Sequence, residues 1–157
     1  DRPERLGADV PVCLAGRPAR MRGAGERLDP VRALPPVAMV LANPGLALST
    51  PAVFAGLGRR DNPGLPSLPG GFADAAALVD WLALCRNDLE PPALALAPGI
   101  AAVLDALRTE GAALARMSGS GATCFGLFAA ADAAALAAAR IARARPGWWV
   151  RATTLLP

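Results

Sequence analysis

The chain changes character at Pro35-Pro36. Before that point apolar residues are scattered among glycine and arginine with no sustained period. Val10, Val12 and Leu14 make one short apolar segment, and Ala19 to Arg22 is a polar strand candidate cut off by Gly23-Ala24-Gly25. After it, strand and helix patterns follow in quick succession. Val37 to Ala42 is an unbroken apolar run whose length suits a strand buried on both faces, and Asn43-Pro44-Gly45 closes it with turn chemistry.

Ser49-Thr50-Pro51 supplies a hydroxyl cap and a proline for the first helical turn, so a helix carrying Val53, Phe54 and Leu57 starts there. Gly58 to Gly71 is too rich in proline and glycine for regular structure and reads as a mobile surface loop. Asp74 to Cys85 is the next helix, with Leu78, Trp81, Leu82 and Cys85 on one stripe. Asn87 or Asp88 is expected to cap another, with Pro91-Pro92 in its first turn and Pro98 breaking or kinking it. Ile100, Val103, Leu104 and Leu107 then recur at the spacing of an amphipathic helix, and Gly111 stops it. Leu114–Met117 and Cys124–Phe128 read as strands flanking the tight loop Ser118–Ala122. Asp132 is expected to cap an alanine-rich helix ending near Arg145-Pro146-Gly147, and Trp148–Leu156 is a last strand.

Strand, helices, strand, strand, helix, strand is the split βαβ order. The expected fold is α+β, a ferredoxin-like antiparallel four-stranded sheet with helices packed on one face, spanning residues 35–157. Residues 1–34 are expected to be the remnant of an upstream unit with few contacts to that core. The abrupt opening at Asp1, without a starting Met, suggests a chain cut from something longer.

Composition narrows the chemistry. Apolar residues are 54% of the 157, which suits a globular chain, but many are alanine. Alanine favours helix and buries little area, so Leu, Val, Ile, Phe and Trp are expected to form the core. No apolar run approaches the roughly 20 residues of a membrane span, and a cytoplasmic protein with no membrane partner is expected. With no histidine there is no Ser-His-Asp triad or His base in the chain. All 16 basic residues are arginine, which excludes a lysine-dependent Walker loop here. The net charge of +3 is mild and the arginines are dispersed, so no nucleic-acid partner is expected. Cys13, Cys85 and Cys124 are far apart and read as buried reduced thiols, with no metal site.

Three segments carry candidate chemistry. The loop Ser118-Gly119-Ser120-Gly121-Ala122 is either a hairpin turn or a phosphate-facing cradle. Asp9, between small and apolar neighbours, is either a helix cap or a carboxylate at a cleft edge, placed to orient a hydroxyl. Asn87-Asp88-Leu89-Glu90 reads as a capped helix start, with acidic charge favourable at the N-terminus, rather than as a catalytic group.

These segments also carry a resemblance. Gly7-Ala8-Asp9-Val10-Pro11, Gly23-Ala24-Gly25-Glu26, Asn43-Pro44-Gly45 with Ser49-Thr50-Pro51-Ala52-Val53-Phe54, Asn87-Asp88-Leu89-Glu90 and Met117-Ser118-Gly119-Ser120-Gly121-Ala122-Thr123 stand in this order. The ordered set resembles the 4-diphosphocytidyl-2-C-methyl-D-erythritol kinase family of the GHMP superfamily, over nearly the whole chain. No single motif decides it, since the Gly-Ser-Gly-Ala run recurs in other GHMP kinases.

The resemblance implies a two-lobed enzyme of the non-mevalonate isoprenoid route. It would move the γ-phosphate of ATP, with Mg2+ as its companion ion, to the substrate's 2-hydroxyl. Asp9 matches the catalytic aspartate. Phe54 matches an aromatic that stacks on cytosine, and Ala24 a substrate-binding position. Ser118, Gly119, Ser120 and Gly121 match the glycine loop facing the nucleotide phosphates. The family's glycine-rich ATP loop and catalytic lysine lie upstream and have no counterpart here. The chain alone is therefore expected to bind no cofactor and to be inactive without an N-terminal lobe as partner. A GHMP kinase for homoserine or mevalonate, or a non-catalytic ferredoxin-like binding module, are the alternatives.

Overall fold

The computed structural model describes residues 6–23, 25–32 and 34–155. A short helix, α1 (Val10–Ala15), stops at Gly16, whose φ of 58° is the left-handed conformation that glycine adopts without strain. A two-stranded antiparallel hairpin follows, β1 (Ala19–Arg22) and β2 (Arg27–Pro30).

The main sheet holds β3 (Val37–Asn43), β4 (Leu114–Met117), β5 (Cys124–Phe128) and β6 (Trp149–Leu155). Its order is β4-β5-β3-β6, and every neighbouring pair is antiparallel. The two unbroken apolar runs, β3 and β5, are thus the interior strands, as the sequence requires. The order is that of the split βαβ fold, with α5 (Gly99–Thr109) before β4 and α6 (Ala131–Ala144) between β5 and β6.

One sheet face carries Ala38, Val40, Ala42, Cys124, Phe128 and Val150. Against it pack Ile100, Val103, Leu104 and Leu107 of α5, all buried, and Ala134, Ala137, Ala138 and Ile141 of α6. The alanines form the contact stripe of α6, whereas Trp149 is exposed and Trp148 only half-buried. The core therefore uses alanine more, and tryptophan less, than composition suggests: a small side chain brings helix and sheet close, and close approach restores the dispersion contacts its size forgoes. Gly126 serves the same fit, since a Cβ there would lie 3.1 Å from Leu107 Cδ2.

The expectation of helices on one face is corrected. The other face, with Val37, Leu127 and the half-buried Met39 and Phe125, is covered by Leu78 of α3 (Ala75–Ala83). A strand apolar on both sides needs a cover on both sides. Phe72 meets Trp81 edge-on beside this cluster, at 5.8 Å.

The irregular stretch between α2 (Thr50–Ala55) and α3 is strapped to its surroundings. Arg20 donates to the carbonyls of Pro66 and Leu65, Trp81 Nε1 donates to that of Ser67, and Arg86 to that of Pro63. Helix α4 (Glu90–Leu96) meets α5 at a 119° bend, at the Ala97-Pro98 break expected of the proline. Asp132 lies in the first turn of α6 rather than at its cap; Ala130 holds that place, and the Asp132 carboxylate takes the amide of Ala133. Among the described residues no single helix is long and apolar enough to cross a membrane.

Candidate functional site

The loop from Ser118 to Thr123 joins the antiparallel neighbours β4 and β5, so in topology it is a hairpin turn. Ser118 N donates to Thr123 O (2.9 Å) and Gly121 N to Ser118 O (3.0 Å). Gly119 and Gly121 have φ of 55° and 90°. At Gly121 size matters as well: a Cβ there would stand 2.8 Å from Met117 Sδ and 3.1 Å from Leu48 Cδ2.

A plain turn needs nothing more, yet this one is held from three further places. Asn87 Nδ2 donates to Met117 O (3.0 Å) and Gly119 O (2.8 Å), while its Oδ1 accepts from Leu89 N (3.0 Å). Glu90 Oε2 accepts from Met117 N (3.0 Å). Asn43 Nδ2 donates to Thr123 Oγ1 (2.8 Å), and its Oδ1 accepts from Gly45 N (2.8 Å). The hydroxyls of Thr50 and Ser120 share a hydrogen bond of 2.8 Å. A loop fixed by an asparagine on each side, a carboxylate and a hydroxyl keeps its backbone amides in a set direction, which is what anion recognition demands.

The expectation for Asn87 to Glu90 is thereby altered. Asn87 does form the turn into α4, but the N-cap residue is Leu89, which makes no side-chain cap bond. The side chains of Asn87 and Glu90 are spent on the glycine loop. Sequence reasoning missed this, as it missed Thr50 and the second role of Asn43, because capping and turn formation already account for these residue types.

Asp9 stands before α1 with helical backbone angles (φ −88°, ψ −9°) and makes no side-chain cap bond. It is exposed, so the cap reading has no hydrogen bond behind it. Gly25, buried at φ 108°, lies against the preceding residue: a Cβ on it would come within 2.1 Å of Ala8 O. Gly25 thus lies beside the residue before Asp9, while Ala24 falls outside the described residues. Among those residues no hydrogen bond or ion pair ties the Asp9 carboxylate to the glycine loop.

Helix α2 begins as expected, with Ser49 Oγ accepting from Ala52 N. Val53 is fully buried, whereas Phe54 is 46% exposed. Phe54 is therefore not a core residue. It lines an open groove of about 490 Å³ with Leu57, Arg59, Arg60 and Arg86. Because Thr50 opens the helix that carries Phe54, the Thr50–Ser120 bond joins this groove wall to the glycine loop.

The thiols take no part. Burial pushes Cys124 up to about 12, with the charge of Glu90 adding and Arg108 opposing. Burial also raises Cys85, against the pull of Arg116 and Arg20. Cys13 departs from the expected burial and lies exposed on α1. Among the described residues no cluster of three or more His, Cys, Asp or Glu could hold a metal ion.

Residues 73–146 match the family described as GHMP kinases C terminal. The 4-diphosphocytidyl-2-C-methyl-D-erythritol kinase of Paracoccus denitrificans (strain Pd 1222) is 64% identical over 156 residues, covering 99% of this chain and 57% of that protein. The enzyme of the same name from Chelativorans sp. (strain BNC1) is 57% identical, over 94% of this chain and 50% of its own length. The chain spans about half the length of the curated relatives it matches. A crystal structure of 4-(cytidine 5'-diphospho)-2C-methyl-D-erythritol kinase superimposes with a TM-score of 0.74 at 39% identity, over 95% of this chain and 54% of that one. L. major mevalonate kinase, at 16% identity and a TM-score of 0.63 over 88% of this chain and 48% of its own, shares the fold. Residues 73–146 thus match the C-terminal family of the GHMP kinases, and nearly the whole chain is similar to about half the length of 4-diphosphocytidyl-2-C-methyl-D-erythritol kinases.

Proposed function

We propose that this chain is the C-terminal part of a cytoplasmic, ATP-dependent kinase. The enzyme phosphorylates the 2-hydroxyl of 4-diphosphocytidyl-2-C-methyl-D-erythritol in non-mevalonate isoprenoid synthesis. The observation that carries this reading is the 64% identity, over nearly the whole chain, to a kinase of that name. The fastened glycine loop and the exposed Phe54 beside it support it.

Phosphoryl transfer asks a protein for positioning and charge stabilisation more than for covalent help. Asp9 orients the attacking hydroxyl. Its carboxylate is a weak base for an alcohol, so it accepts the proton late, when bond formation has made the hydroxyl acidic. Phe54 stacks on the cytosine, Ala24 borders the same substrate, and Ser118 to Gly121 face the phosphates. A magnesium ion carried on the ATP phosphates would supply charge neutralisation there, and this chain's part is to orient the hydroxyl and face the phosphates. The nucleotide loop and lysine of the complete enzyme have no counterpart in these lysine-free residues, and residues 1–34 belong with the lobe that supplies them.

The test is a phosphorylation assay of the complete protein with the cytidine substrate, mevalonate and homoserine. Turnover of the cytidine substrate alone is expected, and none from the 157-residue chain by itself. Preference for either other alcohol would overturn the reading.

A further inference from the structure

The groove beside Phe54 carries an excess of positive charge. Three arginines line it, Arg59, Arg60 and Arg86, against a single lining carboxylate, Asp88. Arg59 is held by Asp61 (2.8 Å) and Arg86 by Asp88 (2.7 Å). Arg60 is the exception: among the described residues it pairs with no carboxylate, and its guanidinium donates to the backbone carbonyl of Phe54 (3.3 Å). The cation is therefore tethered to the residue whose ring is exposed, with donors to spare. A neighbouring pocket shares Arg59, Asn62 and Arg86 with this groove and is also lined by Asn87, the residue that fastens the glycine loop.

An exposed aromatic face next to an unneutralised, planar, five-donor cation matches a base linked to a phosphate. We infer that Arg60 binds the diphosphate of the cytidine substrate, taking the charge while Phe54 takes the base. This rests on the function proposed above and adds a residue to it. The shared walls of the two pockets give the diphosphate a direction, from Phe54 toward Asn87. Arg59 and Arg86, held by their own carboxylates, serve as the wall.

The experiment is calorimetric titration of the complete protein with cytidine and with cytidine diphosphate, for wild type, Arg60→Gln and Arg108→Gln. Arg108 lies on α5 and pairs with Asp105, so it controls for general charge. Wild type is expected to bind the diphosphate more tightly than the nucleoside by on the order of tenfold, the scale of one charge-assisted contact. Arg60→Gln should erase most of that ratio and leave cytidine affinity and the melting temperature unchanged, while Arg108→Gln preserves it. A ratio that survives Arg60→Gln, or that Arg108→Gln lowers equally, overturns the inference. Failure of the function reading shows separately, as wild-type protein that does not phosphorylate the cytidine substrate.

Discussion

Replacing Asn87 by alanine is the sharpest probe of how the glycine loop is held. The substitution removes three hydrogen bonds: two donated across the loop to Met117 O and Gly119 O, and one accepted from Leu89 N. A net bond is worth about 1 kcal/mol, giving a ceiling near 3 kcal/mol. Water can replace part of this, because the Gly119 bond is exposed and the other two are only partly buried. About 1–2 kcal/mol is expected, a fall of roughly 2–8 °C in melting temperature for a chain of this size. Asn87→Asp is the harsher change, since it sets acceptors against the two carbonyls that now receive N–H groups. In the complete enzyme both variants should raise KM for ATP and lower kcat, with little effect on affinity for cytidine. A melting curve and steady-state kinetics on the same samples read both effects. Wild-type kcat and KM for ATP in Asn87→Ala, at whatever melting temperature, would refute the idea that Asn87 positions the loop.

Phe54→Ala should barely move the melting temperature, because the ring is 46% exposed, yet weaken binding of the cytidine substrate far more than of ATP; equal loss of both ligands would contradict the groove reading. Cys124 offers a test by pH. Its thiol keeps its proton up to about 12 when folded, against an ordinary value of 9.0, so between those limits the unfolded chain binds fewer protons and stability falls as pH rises, at most by ~1.4 kcal/mol per unit. The chain has no lysine and no tyrosine, so few other groups titrate there, and denaturant melts of Cys124→Ala across pH 8 to 11 should give a visibly flatter profile than wild type; identical profiles would refute the assignment.

The elements of the sheet were legible because their signals are local. Pro98, the stripe from Ile100 to Leu107 and the unbroken runs of β3 and β5 each need only their own neighbours to be read. The second covered face was implied by those same runs, but nothing local says that α3 provides the cover. The site was legible in its parts and not in its wiring. The glycine loop and Phe54 stand out by residue type, while the bonds from Asn87, Glu90 and Asn43 cross 27 to 80 positions of sequence. Each of those residues also has a sufficient local explanation, as a cap or a turn. Long-range hydrogen bonds of this kind leave no periodic mark, and only the fold reveals them.

The central claim is that this chain brings the hydroxyl-orienting carboxylate to a kinase, and turnover of the complete enzyme carrying Asp9→Asn tests it most directly. Asparagine keeps the shape and one acceptor but loses the charge and the proton acceptor. The account predicts a fall in kcat on the order of a hundredfold or more, with ATP affinity and melting temperature close to wild type. Near-wild-type turnover in this variant would mean that the Asp9 carboxylate takes no part in the reaction, and would contradict the account.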